Sequence, residues 1–429
     1  MAMAGQEKPL LGVVYSPRSR PWMEIAETAA DVCRLLWIVE GSQFGQTLRA
    51  LRKVGKVVDV EGLTPEQTIH VVSAEQPDGI TCYWDPDLHR QAWLATALGL
   101  ATTPIRTVAR LNDKLLQREA HLAAGVPVPR FSAVNDMVDQ AEVARLAAQV
   151  GFPALLKPRD GTACQGIRLV EDVTQLSHLL TEEVEHPGRM ILEERMADLP
   201  QNGPYADRVS VETIACDGHY GHLGVTGLFE MMPVFRSTGG FFPADVPADA
   251  AEVLFDLATR AIQALGSDFG FYRTEIKLTP EGPKIIEING RPTGLTPTVV
   301  KLASGVPLLQ LSMRLALGER VIVNGPVPCD RIAYRYYYEP PMSATKVLGI
   351  TGLSALGELE GVRQIDVHKE VGDSLDWRKG SLDKIFQVTG TVESYAELAE
   401  HYAAIVNGAY VTYEHDLPDV EAMASETVA

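Results

Sequence analysis

The segment that most restricts how this chain can fold is residues 271–294, FYRTEIKLTPEGPKIIEINGRPTG. It predicts two short strands, 271–278 and 284–290, joined by the turn segment TPEGP. A hairpin centred on Glu281 sets Glu275 opposite Glu287, Arg273 opposite Asn289 and Lys277 opposite Ile285. Period-2 alternation then collects Arg273, Glu275, Lys277, Glu287, Asn289 and Arg291 on one face and Ile276, Leu278, Ile286 and Ile288 on the other. Two carboxylates facing each other at roughly 5 Å repel, so the pairing gives a bare sheet nothing. A divalent cation between them turns the repulsion into coordination. Two carboxylates and an amide oxygen suit Mg²⁺, whose remaining positions go to water and substrate phosphates. An exposed polar face with interspersed charges is the alternative reading of the same strands.

A chain of 429 residues is too long for one ordinary core and predicts two to four domains. With 46% hydrophobic and 22% charged residues, its composition is that of a soluble globular protein. The net charge of −18 argues against a nucleic-acid backbone or anionic lipid as the main partner, while a local basic cluster could still hold ATP. No apolar run approaches the roughly 18 residues of a membrane span, and MAMAGQEKPLLGVVYS has no signal-peptide core. Cys33, Cys82, Cys164, Cys216 and Cys329 are widely scattered without metal-type spacing, which predicts reduced thiols in a cytoplasm.

The first hundred residues alternate apolar strands (9–15, 35–39, 56–60, 79–83) with partly helical stretches (22–36, 64–74), the pattern of an open α/β layer. No GxGxxG follows the first strand. Asn112 is a plausible N-cap for a helix that has Leu115 and Leu122 on one face and ends at Gly125. A helix over 138–150, strands at 154–157 and 167–170, a helix capped by Asp172 over 173–184 and a strand at 190–194 make a small α+β lobe. A β-rich lobe follows, with strands near 209–215 and 220–227, a helix over 250–265, the opening hairpin and a helical stretch over 305–318. NGPVPCD at 324–330 looks like a linker into a C-terminal subdomain that begins with a strand at 331–339, carries a helix near 395–407 and frays over 423–429.

Among residues that could carry chemistry, Lys157 ends an apolar strand and enters PRDGTACQG, where Gly161 and Gly166 allow a mobile loop whose N–H groups could close over phosphates. It is not a Walker A loop, and a structural turn is the plainer reading of it alone; Lys114, at a helix start, reads alone as a solvated side chain. Glu193 and Glu194 end the strand MILEE, and such a strand end could bind an adenine edge with Leu192 and Met196 as walls, or be a plain charged terminus. Arg291 could hold a carboxylate or developing phosphate charge, or ion-pair with Glu275 or Glu287. No HExxH, HxH or GxSxG occurs, Cys164 has no partner that suggests a nucleophile, and the run Tyr334, Tyr336, Tyr337, Tyr338 reads as packing. Thr238 to Phe242 and Thr293 to Thr296 are candidate specificity contributors.

Taken in order, Asn112-Asp-Lys114, Gly125-Val-Pro-Val-Pro129, Pro153 to Pro158, the 161–166 loop, Glu193 to Met196, Glu275 and Glu287-Ile-Asn-Gly-Arg291 resemble the ATP-grasp superfamily of carboxylate–amine ligases over about residues 105–320. The C-terminal part looks like that of L-amino-acid (dipeptide) ligases. The resemblance implies an α/β and α+β multidomain ATP-grasp fold: an N-terminal open α/β domain over 1–108, a small lobe over 109–192, a large lobe over 193–325 and a C-terminal α+β subdomain over 326–429. It implies that Lys114 and Lys157 contact ATP phosphates under the Gly161 to Gly166 loop, that Glu193, Glu194 and Met196 form the adenine hinge, that Glu275, Glu287 and Asn289 hold Mg²⁺ (Mn²⁺ being an alternative), and that Arg291 steadies an acyl phosphate. The loop's Thr162-Ala163-Cys164-Gln165 is less Ser/Gly-rich than the family's usual one. The expected activity is ATP-dependent amide formation between an amino acid or small carboxylate and an amine, releasing ADP and phosphate. A nucleotide-precursor or carboxylating ligase, or a catalytically silent ATP-binding protein, is the alternative. The expected partners are small carboxylates and amines, with homodimers common among such ligases.

Overall fold

A computed structural model describes residues 7–200, 203–233, 235–292 and 294–415. The expected fraying at 423–429 and Thr293 lie outside the described residues. The N-terminal strands are β1 (Leu10–Val14), β2 (Arg34–Val39), β3 (Lys56–Asp59) and β4 (Gly79–Cys82), in the order β3-β2-β1-β4 and all parallel. Every residue of β1, LLGVV, is buried, as expected for a central parallel strand covered by helices on both faces. The helix expected over 22–36 is shorter, Trp22–Ala29, because Arg34–Val39 is needed as a strand.

A second sheet holds β5 (Phe131–Ala133), β6 (Ala154–Pro158), β7 (Arg168–Val170) and β8 (Met190–Glu194) in the antiparallel order β5-β8-β6-β7. Helices Gln140–Val150 and Val173–His178 pack their Val143, Leu146, Val150 and Leu176 onto its Ala154, Leu156 and Leu192. The helix expected over 173–184 stops at His178 and continues as a wider turn, Leu179–Glu183.

The largest sheet is built from β9 (Tyr205–Cys216), β10 (His219–Phe229), β11 (Gly239–Phe242), β12 (Gly270–Thr279), β13 (Gly282–Asn289), β14 (Ile332–Tyr338), β16 (Val362–Val367) and β17 (Phe386–Val392), while β15 (Ala344–Thr351) pairs with β18 (Tyr410–His415). Its order is β13-β12-β9-β10-β11-β14-β17-β16. The strands after residue 330 therefore continue the sheet that contains the hairpin, because β14 pairs with β11. Helix Ala248–Ala264 buries Leu254, Leu257, Ala258 and Ile262 against Val209, Val211, Ile276, Ile285 and Ile288.

Four local expectations change. Asp113, not Asn112, caps helix Lys114–Ala123, its carboxylate accepting from the N–H groups of Leu115 and Leu116; Asn112 ends the preceding helix, Ile105–Leu111. Leu122 is exposed, since the inward face of that helix is made of Leu115 and the hydrogen-bonded polar residues Gln117, Arg118 and His121. A helix not anticipated, Thr296–Ser304, precedes Leu308–Ala316 within the stretch read as 305–318. In the hairpin, Arg273 pairs with Asn289 and Glu275 with Glu287 as expected, but Ile276 pairs with Ile285 and Lys277 with Lys284. A β-bulge absorbs one extra residue there, which flips the alternation. Ile285 and Ile288 enter the core, and Ile286, expected beside Ile288, turns to the opposite side.

Candidate active site

The polar face of the hairpin lies on the floor of a cleft of about 3050 Å³ that also takes walls from the N-terminal layer, the second sheet and the strands after 330. On β9, Arg208, Ser210 and Glu212 alternate with buried Val209 and Val211, and they sit beside Lys277, Glu275 and Arg273 in register. The polar face thus spans three strands. Arg208 donates to Glu275 Oε2 at 3.1 Å, and Arg273 Nε lies 3.4 Å from Glu275 Oε1. Arg273 also reaches Glu212 Oε1 at 3.2 Å and Thr296 Oγ1 at 2.5 Å.

Strand β13 is the sheet edge, and helix Lys114–Ala123 closes it with side chains. Gln117 donates to Ile288 O at 3.0 Å and accepts from Ile288 N at 2.9 Å. Arg118 donates to Ile286 O at 2.5 Å, at the bulge. An edge strand whose backbone groups are met this way cannot recruit another strand, and the helix is held in register with the carboxylates.

The same helix sets Lys114 over the hairpin. Its Nζ donates to Gly161 O at 2.7 Å and lies 3.7 Å from Glu287 Oε2. Burial pushes the Glu287 carboxyl up, yet Lys114, Lys157, Arg208 and Arg118 outweigh it and hold the group below the ordinary carboxylate range. Lys157 Nζ donates to Glu193 Oε2 at 2.7 Å, and Arg118 Nε lies 2.9 Å from Glu193 Oε1. Burial again opposes ionisation of Glu193, but the two cations bring it down to about 2. Glu193 is 1% exposed and Glu194 bonds Arg130 and Lys284, so neither carboxylate lines the cleft. The strand-end N–H groups are engaged as well: Glu194 N donates to Arg130 O and Arg195 N to Pro153 O. Met196 and Leu155 do line the cleft.

The loop that carries Gly161 and Gly166 folds over the cleft with Ala163 and Cys164 at φ +54° and +61°. It is tied to the C-terminal region, Ser381 N donating to Ala163 O at 3.2 Å, and just after it Arg168 of β7 sets its guanidinium over the Trp377 ring at 5.7 Å. Gly380, at φ +62°, abuts Ala163 O so closely that a Cβ there would lie 2.0 Å from it. Burial pushes the Cys164 thiol up to about 11, in keeping with its reading as incidental. Arg291 forms a two-point ion pair with Asp85, Nε to Oδ1 at 2.8 Å and the second arm to Oδ2, and lies over the Trp84 ring at 5.7 Å. The acidic partner anticipated on the hairpin is therefore supplied by the N-terminal layer instead.

Lys114, Lys157, Gly161, Met196, Glu275, Glu287, Asn289 and Arg291 all line one cleft, while Glu193, Glu194 and the exposed Gly166 are not part of its lining. Arg118, Arg208 and Glu212 were not anticipated. The alternation in 208–212 carried the signal for the last two; nothing in the local pattern marks Arg118, whose partners lie 75 and 168 residues away. The donor set of Glu275, Glu287 and Asn289 is all hard oxygen on one face, which fits Mg²⁺ with positions left for water and phosphate oxygens. Among the described residues no group of three or more His, Cys, Asp or Glu is placed to hold a metal ion.

Residues 111–295 match the ATP-grasp domain family. The match contains the helix with Lys114, the 161–166 loop and the hairpin. The chain is 32% identical over 224 residues to the uncharacterized protein y4rH of Sinorhizobium fredii, covering 50% of this chain and 43% of that one. It is 30% identical over 278 residues to carnosine synthase 1 of Gallus gallus, covering 60% of this chain and 29% of that one. The chain thus spans less than half the length of these relatives. Its ATP-grasp fold extends beyond the matched segment: it superposes on an L-amino acid ligase from Bacillus licheniformis with a TM-score of 0.77 at 19% identity, covering 96% of this chain and 100% of that one. No single helix among the described residues is long and apolar enough to cross a membrane.

Proposed function

We propose that this protein is an ATP- and Mg²⁺-dependent, ADP-forming ligase that joins the carboxyl of an amino acid or small carboxylic acid to an amine through an acyl phosphate. The observation that carries the reading is the pairing of Glu275 with Glu287 on a cleft floor, with Lys114 at 3.7 Å from Glu287 and Arg291 at the end of the same strand. The resemblance to carnosine synthase and to an L-amino acid ligase supports it.

In this reading Lys114 and Lys157 contact the phosphates and the 161–166 loop covers them. A bound Mg²⁺ supplies Lewis-acid neutralisation of the transferred phosphoryl group. Glu287, kept ionised by the surrounding cations, and Glu275, oriented by Arg208 and Arg273, provide its carboxylate ligands, and Asn289 its amide oxygen. The substrate carboxylate attacks the γ-phosphorus and ADP leaves; the amine then attacks the acyl carbon and phosphate leaves. Arg291, locked by Asp85 and Trp84, presents a fixed positive charge to the acyl phosphate, so little reorganisation is needed as charge develops. The loop, held by Ser381 at Ala163 O, would cover an intermediate that water hydrolyses.

The test is ADP release against pairs of amino acids. At least one pair should raise it in a Mg²⁺-dependent manner, and Glu287→Ala should abolish that rise. If no pair does so and the variant behaves as the parent, the reading fails.

A further inference from the structure

Against the 161–166 loop lies a second, smaller cavity of about 130 Å³, bounded by Gly166 of the loop and Gly380 of the turn that holds it. Neither glycine lines the large cleft. The cavity is too small for the ligands that fill ordinary binding pockets and takes a small ion or a single chemical group. Three arginines line it, Arg168, Arg236 and Arg378, and among the described residues no acid does. In a chain of net charge −18 that is a local inversion of sign.

Arg236 is built into the fold. It is 2% exposed and ends a tight turn in which Met232 and Arg236 exchange both backbone hydrogen bonds around Phe235 at φ +57°. A bulky residue in the left-handed region persists only where its surroundings over-determine it. The guanidinium donates from Nε to Pro233 O at 2.6 Å and from one arm to Pro340 O at 2.7 Å. Its NH2 arm is buried and makes no hydrogen bond among the described residues. Glu339 lies 3.8 Å from the occupied arm and makes no hydrogen bond of its own. Burial pushes that carboxyl up to about 7, so near neutrality it offsets only part of the arginine's charge.

Arg168 and Arg378 share one ring. Their guanidiniums lie 5.7 and 5.3 Å from the centre of Trp377, within the range of cation–π attraction. Arg168 makes no ion pair among the described residues. Arg378 is 69% exposed and meets Asp376 at 3.3 Å, a contact worth little in water. A planar guanidinium held by a ring keeps its N–H edge for an oxyanion. Three gathered cations repel, and burial pulls the Arg236 guanidinium below its ordinary range; a bound anion relieves both.

We propose that this cavity binds a phosphate-type oxyanion, filled by inorganic phosphate, and that the bound ion fastens the 161–166 loop to the 377–382 turn. Gly166 and Arg168 flank the loop's end, Arg378 and Gly380 belong to the turn, and Arg236 comes from the β10–β11 connection. One ion on all three joins segments otherwise linked by the Ser381 N to Ala163 O bond and the Arg168–Trp377 contact. Phosphate brings more charge and more acceptor oxygens than a carboxylate, and can face three cations at once. The cavity is separate from the metal face, so its occupancy does not depend on the ligase reading.

The experiment is a calorimetric titration of inorganic phosphate into the full chain, with Mg²⁺ and the β,γ-imido analogue of ATP at saturation to keep the ion out of the transfer position. Saturable binding of one phosphate per chain is expected, with acetate at least about tenfold weaker. Arg378→Gln, at an exposed position, should weaken phosphate about five- to tenfold, and Arg236→Met about tenfold or more where circular dichroism shows it folded. Phosphate should also slow release of the analogue severalfold in the parent and not in Arg378→Gln. The site is overturned if phosphate shows no saturable binding up to about 20 mM, if Arg378→Gln binds it as the parent does, or if acetate binds as tightly. Tighter binding of glycerol 3-phosphate than of phosphate overturns the inorganic ion as occupant, and unchanged analogue release overturns the fastening. Should the imido analogue itself not bind, the ligase reading falls, while the phosphate titration of parent against Arg378→Gln on the unliganded chain still decides the cavity.

Discussion

At the scale of single residues, the cleft is a set of charges whose partners decide their roles. Glu287 is predicted to be indispensable: Glu287→Gln should lower ADP formation about a hundredfold or more with an unchanged circular dichroism spectrum, read by coupled ADP assay. Glu193 answers a different question. It is 1% exposed between Arg118 and Lys157, and its folded pKa is about 2 against an ordinary 4.5. A depressed folded pKa means that its contribution is complete above pH 4.5 and disappears as pH falls from there towards 2. Urea unfolding across that window should show a steep acid loss that Glu193→Gln flattens. The same substitution leaves two cations without their anion and should cost about 3–5 kcal/mol at pH 7. Sequence reading located Glu193 but gave it to a nucleotide edge. Only long-range folding brings Arg118 and Lys157 onto it, and no spacing rule could state that. Glu275 and Glu287 were legible because strand pairing is local and the turn between them is short.

At the scale of elements, the bulge in β13 decides which isoleucine is structural. Ile285→Ala should cost about 2–5 kcal/mol by thermal unfolding, and Ile286→Ala, whose side chain borders the cleft, markedly less. Strict alternation gives the reverse ranking for these two, so the measurement discriminates cleanly. The alternation was readable and the bulge was not, since the extra residue is fixed by Arg118 reaching Ile286 O from another element. The contact between the 161–166 loop and the 377–382 turn was equally invisible, being formed by segments some 200 residues apart. Gly380→Ala should strain or expel that contact, at about 1–3 kcal/mol, and raise the KM for ATP several-fold while leaving the unfolding midpoint within a few degrees. A steady-state titration of ATP checks it.

At the scale of the whole molecule, the alternation of apolar strands and helices announced the parallel N-terminal layer, and the order of motifs announced the ATP-grasp fold. What the pattern did not announce is that β14, β17 and β16 extend the hairpin's own sheet. Local periodicity says which residues form strands, not which strands are neighbours. A chain ending at residue 325 should therefore not leave a folded remainder: it uncovers the β11 edge and removes Tyr334 and Phe386 from the core around Phe229 and Phe241. Expression with a solubility readout and near-ultraviolet circular dichroism would check the outcome, a native spectrum from the shortened chain refuting it. The shared sheet has a bearing on how such a protein can diversify. Arg335, which lines the cleft, and the backbone that fastens the C-terminal third to the rest occupy one strand, so exchanging that third between relatives would change a cleft wall and the scaffold together. New selectivity is then reached more readily by point changes drifting along the cleft wall than by shuffling whole segments.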